Sequence, residues 1–217
     1  MDTLNRKILI NSYPRSGSTT FLNAIRASVA RMIPPYTRIF FHEDSWVCKA
    51  HIPIIFSGIY PKDTDIYTII RNPLDAIVSN VYRWSNGYTG NVVNGNVVVN
   101  QNQVNSESEL NHTLTSLIDH QIELYISYMS LYMDNHERIK SFTYEATQNR
   151  ISECLDIVLS DIETIDYESG LQQVKNPPEP TSTKTDIYYA IKEYIENSPN
   201  LGKALDLYKI AKTKTII

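Results

Sequence analysis

The segment Lys7-Ile-Leu-Ile-Asn-Ser-Tyr-Pro-Arg-Ser-Gly-Ser-Thr-Thr-Phe-Leu-Asn-Ala-Ile-Arg26 changes its apolar period part-way along. Its first five residues, Lys7 to Asn11, are an unbroken aliphatic run closed by Ser12-Tyr13-Pro14, where proline stops a hydrogen-bonded ladder. Apolar residues in succession, without alternation, suit a strand buried on both faces of a parallel sheet. From Thr19 to Met32 the spacing becomes helical: Phe21, Leu22, Ile25, Val29 and Met32 share one face, and Pro34-Pro35 ends the run. The segment therefore predicts strand, tight loop and helix.

A second unit of the same kind begins at Asp65 to Ile70, turns through Arg71-Asn72-Pro73 and continues as a helix bearing Leu74, Ile77, Val78 and Val81. Farther on, Leu110, Leu114, Leu117, Ile118, Ile122, Leu124, Tyr125 and Met129 predict a long core helix within Glu107 to Asn135, with room for one break. Arg138 to Tyr144 reads as a short strand, followed by a helix over about residues 148 to 160. Asn176-Pro-Pro-Glu-Pro180 is a surface excursion, and two helical patterns follow, Asp186 to Glu196 and Pro199 to Lys212. Strands alternating with helices predict an α/β layered fold with a mainly parallel sheet. Residues 86 to 106 depart from this pattern. Asn94-Gly95 between valines signals a projecting hairpin or loop, against an aggregation-prone or disordered insert.

At 217 residues the chain suits one domain, 1–217, rather than two. An apolar fraction of 42%, a charged fraction of 20% and a mean hydropathy of −0.29 exclude both a disordered and a membrane-embedded body. A net charge of −4 argues against a broad nucleic-acid footprint. Cys48 and Cys154 offer no metal-ligand spacing and read as reduced thiols of a cytoplasmic protein. The N-terminus has only a four-residue apolar stretch, too short for a signal peptide or a spanning helix, so no membrane partner is expected.

Three segments carry chemistry. Between a buried strand and a helix, the loop Tyr13 to Thr20 turns backbone N–H groups and a helix N-terminus toward an anion. Gly17 permits the tight approach, Ser16, Ser18, Thr19 and Thr20 add hydroxyls, and Arg15 adds a fixed charge. The bland alternative is simple helix capping. It is not the ATPase loop, which needs a lysine before its final hydroxyl residue. Arg71 emerges at the carboxyl edge of a strand, where open α/β sheets place ligands, with Ser79 two helical turns on; Asp75 in that first turn suits the helix dipole. An arginine tying a loop to a carboxylate is the competing reading. In Val47 to Pro53, Lys49 and His51 project to the same side if the run is a strand, which pairs a cation with a titratable base.

In this order the three segments resemble the PAPS-dependent sulfotransferases, which use 3′-phosphoadenosine 5′-phosphosulfate as sulfonate donor. Pro14-Arg15-Ser16-Gly17-Ser18-Thr19 is similar to the family's loop for the 5′-phosphosulfate. Residues 71 to 79 match its Arg-Asn-Pro-x-Asp-x-x-x-Ser element for the 3′-phosphate at every fixed position. Lys49-Ala-His-Ile-Pro53 resembles the Lys-Thr-His-Leu-Pro run of the cytosolic branch, whose histidine is the general base, and Tyr144-Glu145 resembles a Tyr-Glu pair near the adenine. The likeness covers residues 8 to 145. It departs at Thr20, where many members carry an adenine-stacking tryptophan. It departs again near the C-terminus, where an Arg-Lys-Gly run is missing and Lys184 is the nearest substitute.

The resemblance implies a three-layer fold of the P-loop nucleotide-hydrolase type. It also implies in-line transfer of sulfonate from PAPS, with PAP as product, to a hydroxyl or amine of a small-molecule or glycan acceptor. Arg15, Lys49 and His51 would be catalytic; Arg15, Ser16, Gly17, Ser18, Thr19, Thr20, Arg71, Ser79 and Tyr144 would hold the nucleotide. No metal is expected, because a sulfonate carries less charge than a terminal phosphoryl group. The rivals are a P-loop kinase or NTPase, and a PAP(S)-binding module without activity. Acceptor and oligomeric state stay open.

Overall fold

The computed structural model describes residues 6–29, 46–58, 62–85, 112–162, 165–175 and 186–217. The hairpin expected at 86–106, the excursion at 176–180 and Lys184 lie outside them. Four strands, β1 (Lys7–Asn11), β2 (Trp46–Ala50), β3 (Thr64–Ile70) and β4 (Lys140–Thr143), form one sheet in the order β2-β1-β3-β4 with every pairing parallel. The expected layered α/β architecture is therefore present. Within it, β1 begins where predicted and is central, and its neighbours align Leu9 with Cys48 on one side and with Ile66 on the other.

Burial on both faces explains the aliphatic run. Ile8 and Ile10 pack toward helices α1 (Ser18–Ser28), α5 (Ile151–Val158) and α6 (Tyr167–Lys175). Leu9 packs the other way, toward α2 (Pro73–Ser85), α3 (His112–Asn135), α7 (Asp186–Glu196) and α8 (Leu201–Lys212). Each such side chain removed from water stabilises the fold by about 1.5–3 kcal/mol. Five fully buried tyrosines, Tyr13, Tyr67, Tyr125, Tyr128 and Tyr132, belong to these two cores. Ile216 and Ile217 hydrogen-bond to Ser141 and Thr143, so the chain's own C-terminus covers the β4 edge.

Three local features depart from the sequence reading. The helix predicted over 148–160 is two helices, α4 (Tyr144–Asn149) and α5, because Thr143 accepts from the Ala146 amide and starts a helix early, and Arg150 breaks it at φ −130°, ψ 38°. His51 lies just past the end of β2 rather than within it. The third is α6, which the pattern does not announce. Gly170 lowers its intrinsic helix propensity, yet a Cβ there would come within 2.2 Å of Ser28 Oγ and 2.9 Å of Leu155 Cδ1, so only glycine allows this close packing. The long helix α3 runs unbroken from His112. No helix among the described residues is long and apolar enough to cross a membrane.

Candidate functional site

Strand order sets the site. From β1 the chain moves to β2 on one side and returns to β3 on the other, so the connections leaving β1 and β3 diverge and open a crevice at their carboxyl ends. A cleft of about 670 Å³ lies there. All four strand ends contribute to it: Lys49 and His51 from β2, the loop Pro14 to Thr20 from β1, Arg71 from β3 and Tyr144 after β4.

The β1 loop is held in left-handed backbone at two places, Arg15 at φ 66° and Gly17 at φ 87°. Gly17 is obligatory twice over, since a Cβ would also come within 2.9 Å of two Tyr144 ring carbons. Arg15, which has a Cβ, sits where strain is tolerated for a purpose. The Phe21 amide bonds back to the Gly17 carbonyl, so the amides of Ser18, Thr19 and Thr20 head α1 without intrahelical partners. Ser16 differs from its neighbours. Its amide bonds to the Tyr13 carbonyl, and its hydroxyl is buried, without a partner among the described residues and off the cleft lining.

Two arginines join the β1 and β3 elements directly. Arg71 Nη1 donates to the Arg15 carbonyl at 2.6 Å, while Arg15 Nε donates to Ser79 Oγ at 3.2 Å. Ser79 thus meets the loop through Arg15 instead of lining the cleft itself. The Arg71 guanidinium lies 4.2 Å from the Tyr144 ring centroid, and Tyr125 donates to the Arg71 carbonyl. Arg71 Nε is buried without a partner among the described residues.

On the β2 side, Lys49 Nζ donates to Thr19 Oγ1. His51 Nδ1 lies 2.6 Å from the Ser12 carbonyl. A carbonyl only accepts, so Nδ1 carries the proton and Nε2 keeps a free lone pair. Burial is the largest influence on His51 and lowers its pKa. The Ser12 hydrogen bond opposes that, and Lys49 and Arg15 add to it. The imidazole is thus neutral at pH 7. Burial and neighbouring cations lower Arg15 and Lys49 as well: Arg83 and Arg71 act on the first, and Arg83, Arg15 and Arg26 on the second.

Charge is one-sided here. Arg15, Lys49, Arg71 and Arg83 line the cleft, and among the described residues no aspartate or glutamate does. Like charges gathered in a partly desolvated crevice repel one another, and a polyanion relieves them. Among the described residues no three or more His, Cys, Asp or Glu side chains are grouped to hold a metal ion.

Five lining residues lie outside the sequence motifs: Asn80, Arg83, Trp84, Gln121 and Leu124. The first three sit one, four and five positions after Ser79, on the same face of α2, which is the signal that could have found them. Gln121 interrupts the apolar stripe Leu114, Ile118, Tyr125, Tyr128, Tyr132 of α3, and a polar residue at a core position is its signal. Neither a family model nor a curated protein matches the chain.

Proposed function

We propose that this protein is a PAPS-dependent sulfotransferase of P-loop-like fold, transferring sulfonate to an acceptor hydroxyl or amine. The observation that carries the reading is the bond from Arg71 Nη1 to the Arg15 carbonyl. It puts the β1 loop and the β3 arginine, two anion-binding elements 56 residues apart in sequence, on one cleft. A donor with a phosphate at each end needs two cationic handles sharing one cavity. Arg15, Lys49 and Arg71 on a cleft that no carboxylate lines among the described residues, and a buried Arg71 Nε without a partner among them, fit that demand.

When bound, the nucleotide supplies an S–O bond whose cleavage leaves an electron pair on a 5′-phosphate oxygen. The chain's residues divide the remaining work. Ser18, Thr19 and Thr20 amides, with the Arg15 guanidinium, stabilise negative charge gathering on that leaving oxygen. Lys49, steadied by Thr19, neutralises charge at the transferring group. His51 Nε2 takes the acceptor's proton while the acceptor's oxygen or nitrogen forms its bond to sulfur, and Ser12 holds the ring in the tautomer this requires. Arg71, clamped between the Arg15 carbonyl and the Tyr144 ring, holds the other phosphate and takes no part in proton transfer.

The test is thermal and radiochemical. PAP at increasing concentration raises the melting temperature along the binding isotherm, and wild-type protein moves label from [35S]PAPS to an acceptor with EDTA present. No shift at millimolar PAP, or a larger one with ATP and Mg2+, would favour the kinase reading instead.

A further inference from the structure

The α2–α3 wall of the cleft is built differently from the sheet edge opposite it. Gln121, 7% exposed, has its side-chain oxygen engaged twice: Tyr13 Oη donates to Oε1 at 2.9 Å and Asn80 Nδ2 donates to it at 2.8 Å. Tyr13 Oη also lies 3.4 Å from the Gln121 backbone carbonyl, which draws the tyrosine's one hydrogen toward the glutamine. With Oε1 taking both bonds, Nε2 is the amide's remaining polar atom. Gln121 lines the cleft, and among the described residues it enters hydrogen bonds only as an acceptor, so its Nε2 hydrogens are left for a ligand. A buried amide with its acceptor saturated and its donor presented to a cavity is a site for an oxygen lone pair.

Two turns beyond Gln121, the same helix runs past the proposed base. Helix α3 packs against the turn Pro53–Ser57 that follows His51, through Phe56 between Tyr128 and Tyr132. Resting on the sulfotransferase reading, we infer that Gln121, locked by Tyr13 and Asn80, is a positioning residue that donates to an oxygen of the acceptor, and that the acceptor is a neutral hydroxyl compound rather than a protonated amine. An ammonium group has donors only and nothing to offer the Nε2 hydrogens. It would also enter a cleft lined by four cations and, among the described residues, no carboxylate. An ammonium has no lone pair with which to attack sulfur, whereas a hydroxyl attacks with its own and passes to the neutral imidazole a proton made acidic by the new S–O bond.

Wild type, Gln121→Met and Tyr13→Phe are compared for PAP affinity by calorimetry, and for transfer from [35S]PAPS to methyl glucoside, 4-nitrophenol and benzylamine. Label should enter a hydroxyl probe and not benzylamine. Gln121→Met should raise KM for that probe about tenfold with PAP affinity within twofold of wild type, the loss of one hydrogen bond. Tyr13→Phe keeps the buried ring, guards against a misfolded first variant, and should raise the same KM by a few-fold, with kcat less affected. Preference for benzylamine, or transfer to neither hydroxyl probe by protein that binds PAP, overturns the inference. So does a Gln121→Met variant whose PAP affinity falls on the order of a hundredfold, since Gln121 then serves the nucleotide and the sulfotransferase reading survives. Wild type that binds no PAP sinks that reading itself.

Discussion

The two ends of the central strands carry basic residues in opposite circumstances. At the amino end, Arg6 pairs with Asp65 and lies 3.4 Å from Asp161, while Lys7 pairs with Asp63. At the carboxyl end, Arg15 is met by a serine hydroxyl, Lys49 by a threonine hydroxyl and Arg71 by a carbonyl. Both ends hold their cations in place. Among the described residues, only the first pairs these cations with carboxylates of the chain. Neutral partners orient a cation without cancelling its field, so the carboxyl end keeps an attraction for anions that the amino end has spent on its own carboxylates.

The contrast is broken most severely at His51, the one titratable base among the cations. His51→Ala should cut transfer by about 10²–10⁴-fold, as removal of a general base does. PAP affinity should stay close to wild type; if binding and transfer fall together, the separation of roles is wrong. Because burial lowers the His51 pKa, kcat/KM for wild type should be flat above the ordinary imidazole value near 6.5 and decline only below it, and His51→Ala should lack that acid limb. Next in size is Arg71→Ala, which removes a cation from one end of the proposed nucleotide site. PAP affinity should drop on the order of a hundredfold, read by calorimetry. An unchanged affinity would mean that the carboxyl-end field is not used for this ligand.

The sequence disclosed the strand ends better than the walls above them. β1, its loop and the turn after β3 are local: an aliphatic run, a proline, a glycine and an arginine lie within a few residues, and each constrains the backbone by itself. Gly17 and Arg71 could thus be placed near strand ends before any contact was known. What brings them to one cleft is strand order, and long-range pairing leaves no local trace. Helix α3 shows the same limit. Its stripe announces a core helix, but the partner of Gln121 is Tyr13, 108 residues away, and no spacing rule reports that pair. Helix α6 was hidden for a related reason: Gly170 opposes helix locally and is required by Ser28 and Leu155 from elsewhere. Among the described residues six tyrosines are buried in the core, and Tyr144 alone of the tyrosines lines the cleft.

Smaller effects separate strain from contact in the loop. Gly17→Ala and Gly58→Ala both place an alanine at positive φ, 87° and 91° respectively, but only at position 17 does the new Cβ meet a neighbour, the Tyr144 ring. Both should destabilise the fold by about 1–3 kcal/mol of backbone strain and so lower the melting temperature. Gly17→Ala should lower it further and also weaken PAP binding, because the ring it displaces is the one on which Arg71 rests. Equal effects at the two glycines would show that the Tyr144 packing is incidental.

The finest test compares the two ends by stability alone, without ligand. Asp65→Asn removes the nearer of Arg6's two carboxylates and should destabilise the protein by about 1 kcal/mol, a hydrogen-bonded ion pair discounted for the partial exposure of Asp65. Lys49→Met should go the other way, or leave the melting temperature unchanged. Burial and the nearby Arg83, Arg15 and Arg26 depress the Lys49 pKa in the folded chain, so its charge opposes folding at neutral pH and the opposition fades as pH rises through the folded value toward 10.5. Methionine keeps most of the side chain's apolar length and removes the charge. Urea denaturation at pH 7 reads both variants, and a repeat near pH 10 should shrink the advantage of Lys49→Met over wild type. If Lys49→Met is instead as destabilised as Asp65→Asn, the lysine is a structural cation like Arg6, and the carboxyl end holds no charge in reserve for an anion.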